Sequence, residues 1–512
     1  MLGLALLAAP VAPAERGVEL VEVAAPARER GGDEAGASAA GEGAERGREG
    51  ARAAEGGGSR WSAGDDAGLD FDFDALESGS RDRSDREGSK GQAKGQREGP
   101  AEAAGEAGAS AARKRWKRVG EVLGGSLRLT GAYLHHDDEA AALFPDGDDA
   151  LGLVVGRILA RGGIGEHVRY DVNGFVELAR SPGSLLGGAF ASAGSTESAY
   201  RTRFLGWRFW EDGAVRGSLG LDRAVMSVLA GPFKLDVGRM PVNYSVTNVF
   251  QPNDFYAPFA ATAVNRIYKP GVDGVRASVA VGPLATIDVV GVLGYGDEDA
   301  PTWGRSSILA RAGAVGGGFE WGLLGGKVAE RWVAGGSAQG DAGPIGLRAE
   351  FHVGVPDRDG RGHGGDDLPI YARAAGGPSV SFAWRSTTLG AEYMLISDGA
   401  TAASGYLARA GALYPDTVPY LARHYVAALF GTDVVPILRA SALAMVNASD
   451  GSGLAGVSAV YNVADESDLI VGVFAPWGRG LQGMVTPGSP LPLGSEYGLS
   501  PLVVYLESRV FF

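Results

Sequence analysis

The sequence predicts an all-β protein: a single closed antiparallel transmembrane β-barrel of about 16 strands, within a range of about 14 to 18, with a disordered N-terminal arm. Three observations predict this class. Apolar and polar residues alternate with period two in many segments between residues 121 and 512. Short connections between these segments alternate with long polar connections along the chain. No uninterrupted apolar run approaches the roughly 18 to 20 residues that a membrane-spanning helix needs.

Composition excludes several classes of protein. The 512 residues include 83 glycines and no cysteine, and the formal net charge is -14. The negative balance repels nucleic-acid phosphate, so we expect no nucleic-acid partner. The lack of cysteine excludes disulfide scaffolds, thiolate zinc sites, thiol nucleophiles and lipid anchoring through an N-terminal cysteine.

The chain divides into three parts. Residues 1–14 are uncharged, rich in Leu and Ala and end in a small-x-small pattern, which predicts a signal peptide. They lack a basic start, so either the true N-terminus lies upstream of Met1 or the stretch is an apolar tail. Residues 15–120 are rich in Gly, Ala, Glu and Arg and carry too little apolar surface to offset the entropy of ordering, which predicts a disordered low-complexity region. The predicted barrel occupies residues 121–512.

Strand faces are clearest in two segments. In residues 168–178, Val, Tyr and Leu share one parity and Arg, Asp, Asn and Glu share the other. Residues 345–353 repeat the same division. Two further strands, 275–281 and 285–295, are joined at Gly282-Pro283, which predicts a tight turn.

The apolar face of every strand needs cover, and the sequence offers no amphipathic helices to supply it. Lipid can supply that cover. In lipid every backbone polar group must be paired, so the sheet has to close on itself. At about ten residues per tilted strand, the folded part accommodates about 16 strands, and a barrel of that width leaves an aqueous lumen.

The last strand carries the most specific signal. Leu502, Val504, Leu506, Val510 and the terminal Phe512 fall on one parity. A chain that ends in an aromatic residue within an amphipathic strand is typical of the signal by which outer-membrane barrels reach their insertion machinery. Val510 and Phe512 are the predicted barrel-assembly signal, and that machinery is an expected partner.

One stretch breaks the alternation and resembles a known family. It contains Gly238-Arg239, the run Phe250-Gln251-Pro252-Asn253-Asp254 and Pro258. These residues resemble a pattern in a family of porin-like, largely uncharacterised Gram-negative outer-membrane barrels. Met240 and Tyr244-Ser245 depart from it, because that family has Gln and Trp-Gly there. The resemblance implies the barrel fold and a location in the outer membrane, and it implies nothing about a solute.

The same stretch has aromatic, Pro and Asn residues where a second polar face would be, so it cannot be a lipid-facing strand. One hypothesis is an inward-folded loop that narrows the pore, with Arg239, Asn243, Asn248 and Asp254 lining the constriction. The other is a packed surface loop in which Arg239 and Asp254 pair with each other or cap turns.

Polar residues on the lumen parity are candidates for lining the pore. Their mixed charge predicts a transverse field and weak ion selectivity. The alternative is that several of them pair across the wall and stiffen the barrel. The candidates are Arg169, Asp171, Asn173, Glu177, Arg276, Asp288, Arg348, Glu350, His352, Arg385, Glu392, Arg439, Glu507 and Arg509.

The residues for hydrolytic chemistry are missing. The six histidines form no HExxH motif and no His-x-Ser arrangement of a barrel phospholipase. We therefore expect no enzyme activity, no metal and no cofactor. His135-His136, followed by Asp137, Asp138 and Glu139, could bind a metal. The favoured interpretation is a solvated external loop whose acids meet the divalent cations of lipopolysaccharide.

These features predict a porin-like channel for passive diffusion of small polar or amphipathic solutes across a Gram-negative outer membrane. The alternative is a non-conducting barrel that acts as an adhesin or as a component of an envelope transport or assembly complex. The expected partners are outer-membrane lipid, lipopolysaccharide and the insertion machinery, and a homotrimer is one expected assembly.

Overall fold

The computed structural model describes residues 123–140, 143–144, 147–180, 198–258, 268–296, 298–357, 368–411, 420–485 and 490–512. The predicted signal peptide and the predicted disordered arm lie outside these residues. No helix in the described part of the chain is long and apolar enough to cross a membrane.

Nearly all of the regular structure is β. The strands are β1 Leu123–His135, β2 Asp148–Ile164, β3 Val168–Arg180, β4 Gly206–Asp212, β5 Val215–Ala230, β6 Phe233–Met240, β7 Val272–Ala280, β8 Ala285–Val292, β9 Ser307–Gly316, β10 Phe319–Val328, β11 Arg331–Ala342, β12 Ile345–Pro356, β13 Tyr371–Phe382, β14 Thr387–Ile396, β15 His424–Val435, β16 Leu438–Asn447, β17 Gly453–Ala464, β18 Ser467–Trp477 and β19 Leu502–Phe511. Among the described residues, one short helix, α1, spans Tyr406–Gly411, and 3-10 turns cover Asp138–Ala140, Arg203–Leu205, Trp384–Ser386 and Ala403–Gly405.

The sheet closes into a barrel of 18 antiparallel strands. Each wall strand pairs with the next one along the barrel, and β19 returns to β1 with Val510 opposite Leu127. In the wall of the barrel, β3 pairs directly with β5. The nineteenth strand, β4, pairs with the first residues of β5 and with no other described strand. The expected number of 16 is therefore two short, although the expected range includes 18. The chain fits two more strands because many turns have only two residues.

The connections differ at the two ends of the barrel, as the sequence predicts. The end that bears the start of β1 and the end of β19 has tight turns, among them 231–232, 343–344 and 436–437. Several of these turns place glycine at a positive φ, for example Gly282 at 72° in the predicted Gly282-Pro283 turn and Gly343 at 66°. The long connections lie at the opposite end and include 181–214, 241–271, 397–423 and 478–501. We call that end the external end.

Side chains follow the predicted parity. Val176 and Leu178 are exposed on the outer face, whereas Asn173, Phe175 and Glu177 point inward and are buried. Exposed aromatic side chains ring the outer face near both ends, which is typical of the two membrane interfaces. The external ring includes Tyr133, Trp207, Trp210, Trp303, Trp332, Tyr393 and Trp477, and the ring at the tight-turn end includes Phe233, Trp321, Phe382, Trp384, Tyr461 and Phe512.

The predicted assembly residues lie at the end of the last strand. Val510 is exposed on the outer face, and so is the terminal Phe512. The backbone of Phe512 is paired with β1, because its N–H donates to Gly125 O at 3.0 Å and its carbonyl accepts from Gly125 N at 2.7 Å. The side chains therefore face outward while the backbone completes the closure of the barrel.

Candidate channel constriction

The connection between β6 and β7 leaves the wall and crosses the lumen. We call its described part, residues 241–258, the inward segment. It begins where β6 ends at Met240, and Pro241 follows, which has no N–H to continue a strand ladder. Within it, Asn243 Oδ1 accepts from Ser245 N at 2.9 Å, and Thr247 Oγ1 donates to the carbonyl of Phe250. These local contacts replace regular secondary structure.

Two carboxylates on the wall opposite β6 accept hydrogen bonds from the inward segment. Glu350 on β12 accepts from Ser245 Oγ at 2.7 Å and from the backbone N–H groups of Val246, Thr247 and Asn253 at 2.5, 3.4 and 3.1 Å. This contact lies across the barrel from β6, so the inward-folded hypothesis describes the path of the chain. The segment is not a surface loop.

Glu392 on β14 holds the next part of the segment. It accepts from the backbone N–H groups of Asn248, Val249 and Phe250 at 2.6, 2.8 and 3.2 Å. The ring of Phe250 is fully buried, with its centroid 5.4 Å from that of Tyr420 and 6.1 Å from that of Tyr425. The tip of the segment is thus fixed by charge-assisted hydrogen bonds and by apolar packing.

The base of the connection is fixed by two buried ion pairs. Arg239 donates to both oxygens of Asp273, at 2.6 and 2.9 Å, and Asp254 pairs with Lys269. The alternative is therefore wrong in pairing Arg239 with Asp254, but its turn-capping part holds for Asp254, whose Oδ1 accepts from Ala257 N at 3.3 Å. Arg239 is 3% exposed and Asp254 is 0% exposed, so neither presents its charge to water.

The two asparagines of the predicted constriction keep partial exposure. Asn248 Oδ1 accepts from Arg348 Nη1 at 2.7 Å, which joins the inward segment to a pore-lining candidate on β12. Asn243 is half-buried and makes the local contact described above. Of the four predicted residues, Asn243 and Asn248 lie where a solute could reach them, and Arg239 and Asp254 hold the base.

Most of the pore-lining candidates lie on the inner face, as their parity predicts. Asp171, Arg276, Asp288 and Arg348 are half-buried there. The other inner-face candidates are more deeply buried, and they are Asn173, Glu177, Glu350, His352, Glu392, Arg439, Glu507 and Arg509.

Two further candidates are exposed. Arg385 is not in a strand: it lies in the exposed turn Trp384–Ser386, with its guanidinium 5.2 Å from the centroid of the Trp384 ring. The expectation that Arg385 lines the pore is wrong because β13 ends at Phe382. Arg169 is exposed at the tight-turn rim, one residue after the start of β3.

A row of polar side chains crosses the inner face from β6 to β12. We call it the charged girdle. It takes one residue from each of seven consecutive strands: Asp236, Arg276, Asp288, Arg311, Glu320, Gln339 and Arg348. Arg276 Nη2 lies 2.8 Å from Asp236, and Glu320 accepts from Arg311 at 3.0 Å and from Gln339 at 2.8 Å.

Pairing across the wall, the alternative interpretation of the pore-lining acids and bases, thus describes part of the charged girdle. The girdle nevertheless remains in contact with water, since the side chains of Arg276, Arg311 and Glu320 are 22%, 15% and 34% exposed. Asp236, Arg311, Glu320 and Gln339 were not among the predicted residues. The strand register would have found three of them, because Asp288 faces Arg311 and Gln339 faces both Glu320 and Arg348 across the ladders. Asp236 faces Arg276, but the long connection between β6 and β7 hides that register.

A second cluster of charges lies on β1, β2, β5 and β19, with Arg201 added from the connection before β4. Asp222 pairs with Arg157 and with Arg201, the latter at 2.9 Å, and all three are buried. Glu507 accepts from Arg509 at 2.5 Å and from Thr130 at 2.8 Å. Sequence reasoning assigned Arg157, Arg201 and Asp222 to no site, because the pattern along one segment does not reveal which residues of other segments it meets.

At the external end, several connections and strand ends meet at one buried carboxylate. Glu496, on the connection between β18 and β19, accepts from Tyr425 Oη at 2.5 Å, from Asn447 Nδ2 at 2.8 Å and from Leu421 N at 3.1 Å. Its own N–H donates to Asp450 at 2.9 Å. Burial raises the pKa of Glu496 to about 7.

The two histidines of the stretch considered for metal binding, His135 and His136, differ in their exposure. His135 is exposed and contacts Asp148 at 2.7 Å, whereas His136 is 3% exposed and stacks on Phe144 with ring centroids 3.9 Å apart. A wholly solvated loop is thus wrong for His136, whose pKa is lowered by burial. No group of three or more His, Asp or Glu side chains in the described residues could hold a metal ion.

No protein-family model matches the chain, and no curated protein matches it. Among solved structures it is similar to OccAB4 of Acinetobacter baumannii, with 11% identity and a TM-score of 0.44, and to OpdL of Pseudomonas aeruginosa, with 10% identity and a TM-score of 0.47. A BenF-like porin from Pseudomonas fluorescens Pf-5 shares 12% identity at a TM-score of 0.46. Each similarity covers 76% of this chain and 98% of the other.

Proposed function

We propose that the protein is a porin-like channel of a Gram-negative outer membrane, through which small polar or amphipathic solutes diffuse passively. One observation carries the proposal: the charged girdle meets water inside a closed barrel whose outer face is apolar. A soluble barrel would turn its charges outward. Here the apolar outer face suits lipid, and the inner charges suit a wet lumen.

The inner wall has two characters, which supports a solute of mixed polarity. The half from β6 to β12 carries the charged girdle. On β15, β16 and β17 the inward residues include Leu429, Leu443 and Val460, which are partly buried and apolar. A solute that passes the inward segment can therefore turn a polar group to one wall and an apolar group to the other.

Ion selectivity is expected to be weak. Opposite charges alternate along the charged girdle, so the field runs across the lumen and favours neither sign strongly. The acids that hold the inward segment, Glu350 and Glu392, are 2% and 4% exposed and add little negative potential to the path.

The partners follow from the same placement. We propose that outer-membrane lipid covers the apolar outer face and that lipopolysaccharide meets the external connections. The outward-facing Val510 and Phe512 are proposed to contact the insertion machinery. A homotrimer is the proposed assembly.

Planar-bilayer recording of the purified protein tests the channel. We expect steady single-channel conductance, a small reversal potential in a salt gradient, and a shift in gel mobility on boiling that reports a folded barrel. A barrel that shifts on boiling yet carries no current would refute the channel and favour the non-conducting alternative, an adhesin or an envelope assembly component.

A further inference from the structure

Glu350 and Glu392 differ from ordinary pore-lining acids in what they contact. Both lie on the inner face, on β12 and β14, with one strand between them, and both are almost fully buried. Six backbone N–H groups and one hydroxyl of the inward segment converge on these two carboxylates. Their negative charge is therefore directed at the peptide chain and away from a passing solute.

The inward segment depends on these contacts for its position. Residues 241–250 have no helix and no strand. Within the described part of the segment, one backbone–backbone hydrogen bond outside regular structure is made, from Asp254 N to Gln251 O at 3.1 Å. The wall strand between the two carboxylates, β13, turns the small residues Ala375 and Gly377 inward, so the segment can lie close to the wall.

We propose that Glu350 and Glu392 are positioning residues that set the aperture of the channel. They hold the inward segment against β12 and β14 and so fix how far Asn248 and its partner Arg348 stand into the lumen. The inference rests on the proposed channel function. It assigns the two acids the role of fixing the constriction, which the sequence pattern does not separate from lining the pore.

The chemistry requires carboxylates. Each acid uses both of its oxygens as acceptors: Glu350 takes Ser245 Oγ and Asn253 N on Oε1 and takes two further N–H groups on Oε2. Glutamine has nearly the same shape but replaces one acceptor with an NH2 donor, which would face N–H donors. A buried acceptor that becomes a donor cannot satisfy these groups.

The test replaces the two acids in turn and together. In Glu350→Gln, in Glu392→Gln and in the double variant, we expect larger and noisier single-channel currents. Each replacement should raise the population of the released segment roughly tenfold or more, as for a lost hydrogen bond to a charged group. The control is Glu466→Gln, which removes a charge in an exposed turn at the tight-turn end and should leave the current unchanged.

A second measurement does not depend on conduction. The chain has no cysteine, so Gln251→Cys places a single nitroxide spin label in the inward segment. We expect its mobility to rise in each of the two glutamine backgrounds and to remain unchanged with Glu466→Gln. Heat-modifiable migration shows which variants form a barrel. If the double variant does not, the single variants decide, since each of them keeps one carboxylate.

The outcomes separate the two proposals. If the unmodified protein conducts and the glutamine variants match it in both current and label mobility, the positioning role is refuted and the channel stands. If the unmodified protein carries no current, the channel is refuted, and label mobility alone decides whether the two acids hold the segment.

Discussion

Replacing Glu496 by glutamine is expected to abolish a pH dependence in the packing of the external connections. The buried carboxylate joins the connection between β18 and β19 to the start of β15, to the end of β16 and to Leu421. The titratable groups near it include Asp450 and the phenols of Tyr406, Tyr425 and Tyr497. Burial is the main cause that favours the neutral form of this carboxyl group. The negative charge of Asp450 adds to it, whereas the hydrogen bond from Tyr425 favours the charged form.

The magnitude follows from the pKa. A glutamate side chain ordinarily has a pKa of 4.5, and burial raises that of Glu496 to about 7. Below pH 4.5 the group is protonated whether the connections are packed or released, so packing has its full stability. As the pH rises from 4.5 to 7, only the released form loses its proton, and packing weakens by about 1.4 kcal/mol per pH unit. The total loss is about 3 kcal/mol, which is roughly a hundredfold in the packing equilibrium.

Backbone hydrogen exchange measures this equilibrium at defined positions. The N–H groups of Leu421 and Glu496 are both hydrogen-bonded in the cluster, to Glu496 and to Asp450. After correction for the intrinsic pH dependence of exchange, their protection should fall between pH 4.5 and 7 and then level off. In Glu496→Gln it should stay flat over the same range. Equal pH profiles in the two proteins, or protection that rises with pH, would refute the reasoning.

Three further changes test other parts of the structure. Arg239→Ala leaves the carboxylate of Asp273 buried without its bidentate partner, so we expect the free energy of unfolding to fall by about 3–5 kcal/mol and the conductance to change as the inward segment loses its base; an unchanged conductance would show that this ion pair does not position the inward segment. Phe250→Ala opens a cavity at a fully buried ring, with an expected cost of about 3–5 kcal/mol and noisier single-channel currents; quiet currents of normal size would contradict that role. Gly238→Ala places a Cβ 2.1 Å from a carbonyl oxygen of β5 at a φ of 123°, whereas Gly316→Ala meets open space. Gly238→Ala should reduce the yield of heat-modifiable barrel and Gly316→Ala should not. Equal yields of the two variants would show that the close approach at Gly238 is not required.

The faces of the strands could be predicted because the period of a strand is two. Val176 and Glu177 take opposite sides without any knowledge of their neighbours, and the same rule placed Arg276, Asp288 and Arg348 on the inner wall. The number of strands could not be predicted as well, because it depends on connection lengths, and a two-residue turn such as 343–344 leaves no gap in the alternation. Arg385 was misplaced for the same reason: the alternation runs past Phe382 into the turn.

The ion-pair partners of Arg239 and Asp254 could not be predicted from the sequence for a different reason. Arg239 stands opposite Asp273 in the ladder between β6 and β7, but the long connection between those strands hides their register. Lys269, the partner of Asp254, lies beyond the stretch that ends at Pro258 and resembles the known family. An ion pair of this kind is set by where two distant parts of the chain return to the wall, and local pattern does not encode that return.

Glu350 and Glu392 show how far an inward parity can be interpreted. Parity places a carboxylate inside the barrel, and there it has two very different uses: exposed to water it attracts cations, and buried under peptide N–H groups it fixes a segment of chain. The formal charge of -14 favours the first use, and the contacts of both residues follow the second. In the proposed channel, the charge that a solute meets is therefore that of the charged girdle, where the side chains of Arg276, Arg311 and Glu320 are partly exposed. We accordingly expect the ion preference of the proposed channel to be set by a few partly exposed pairs, whatever the total charge of the chain.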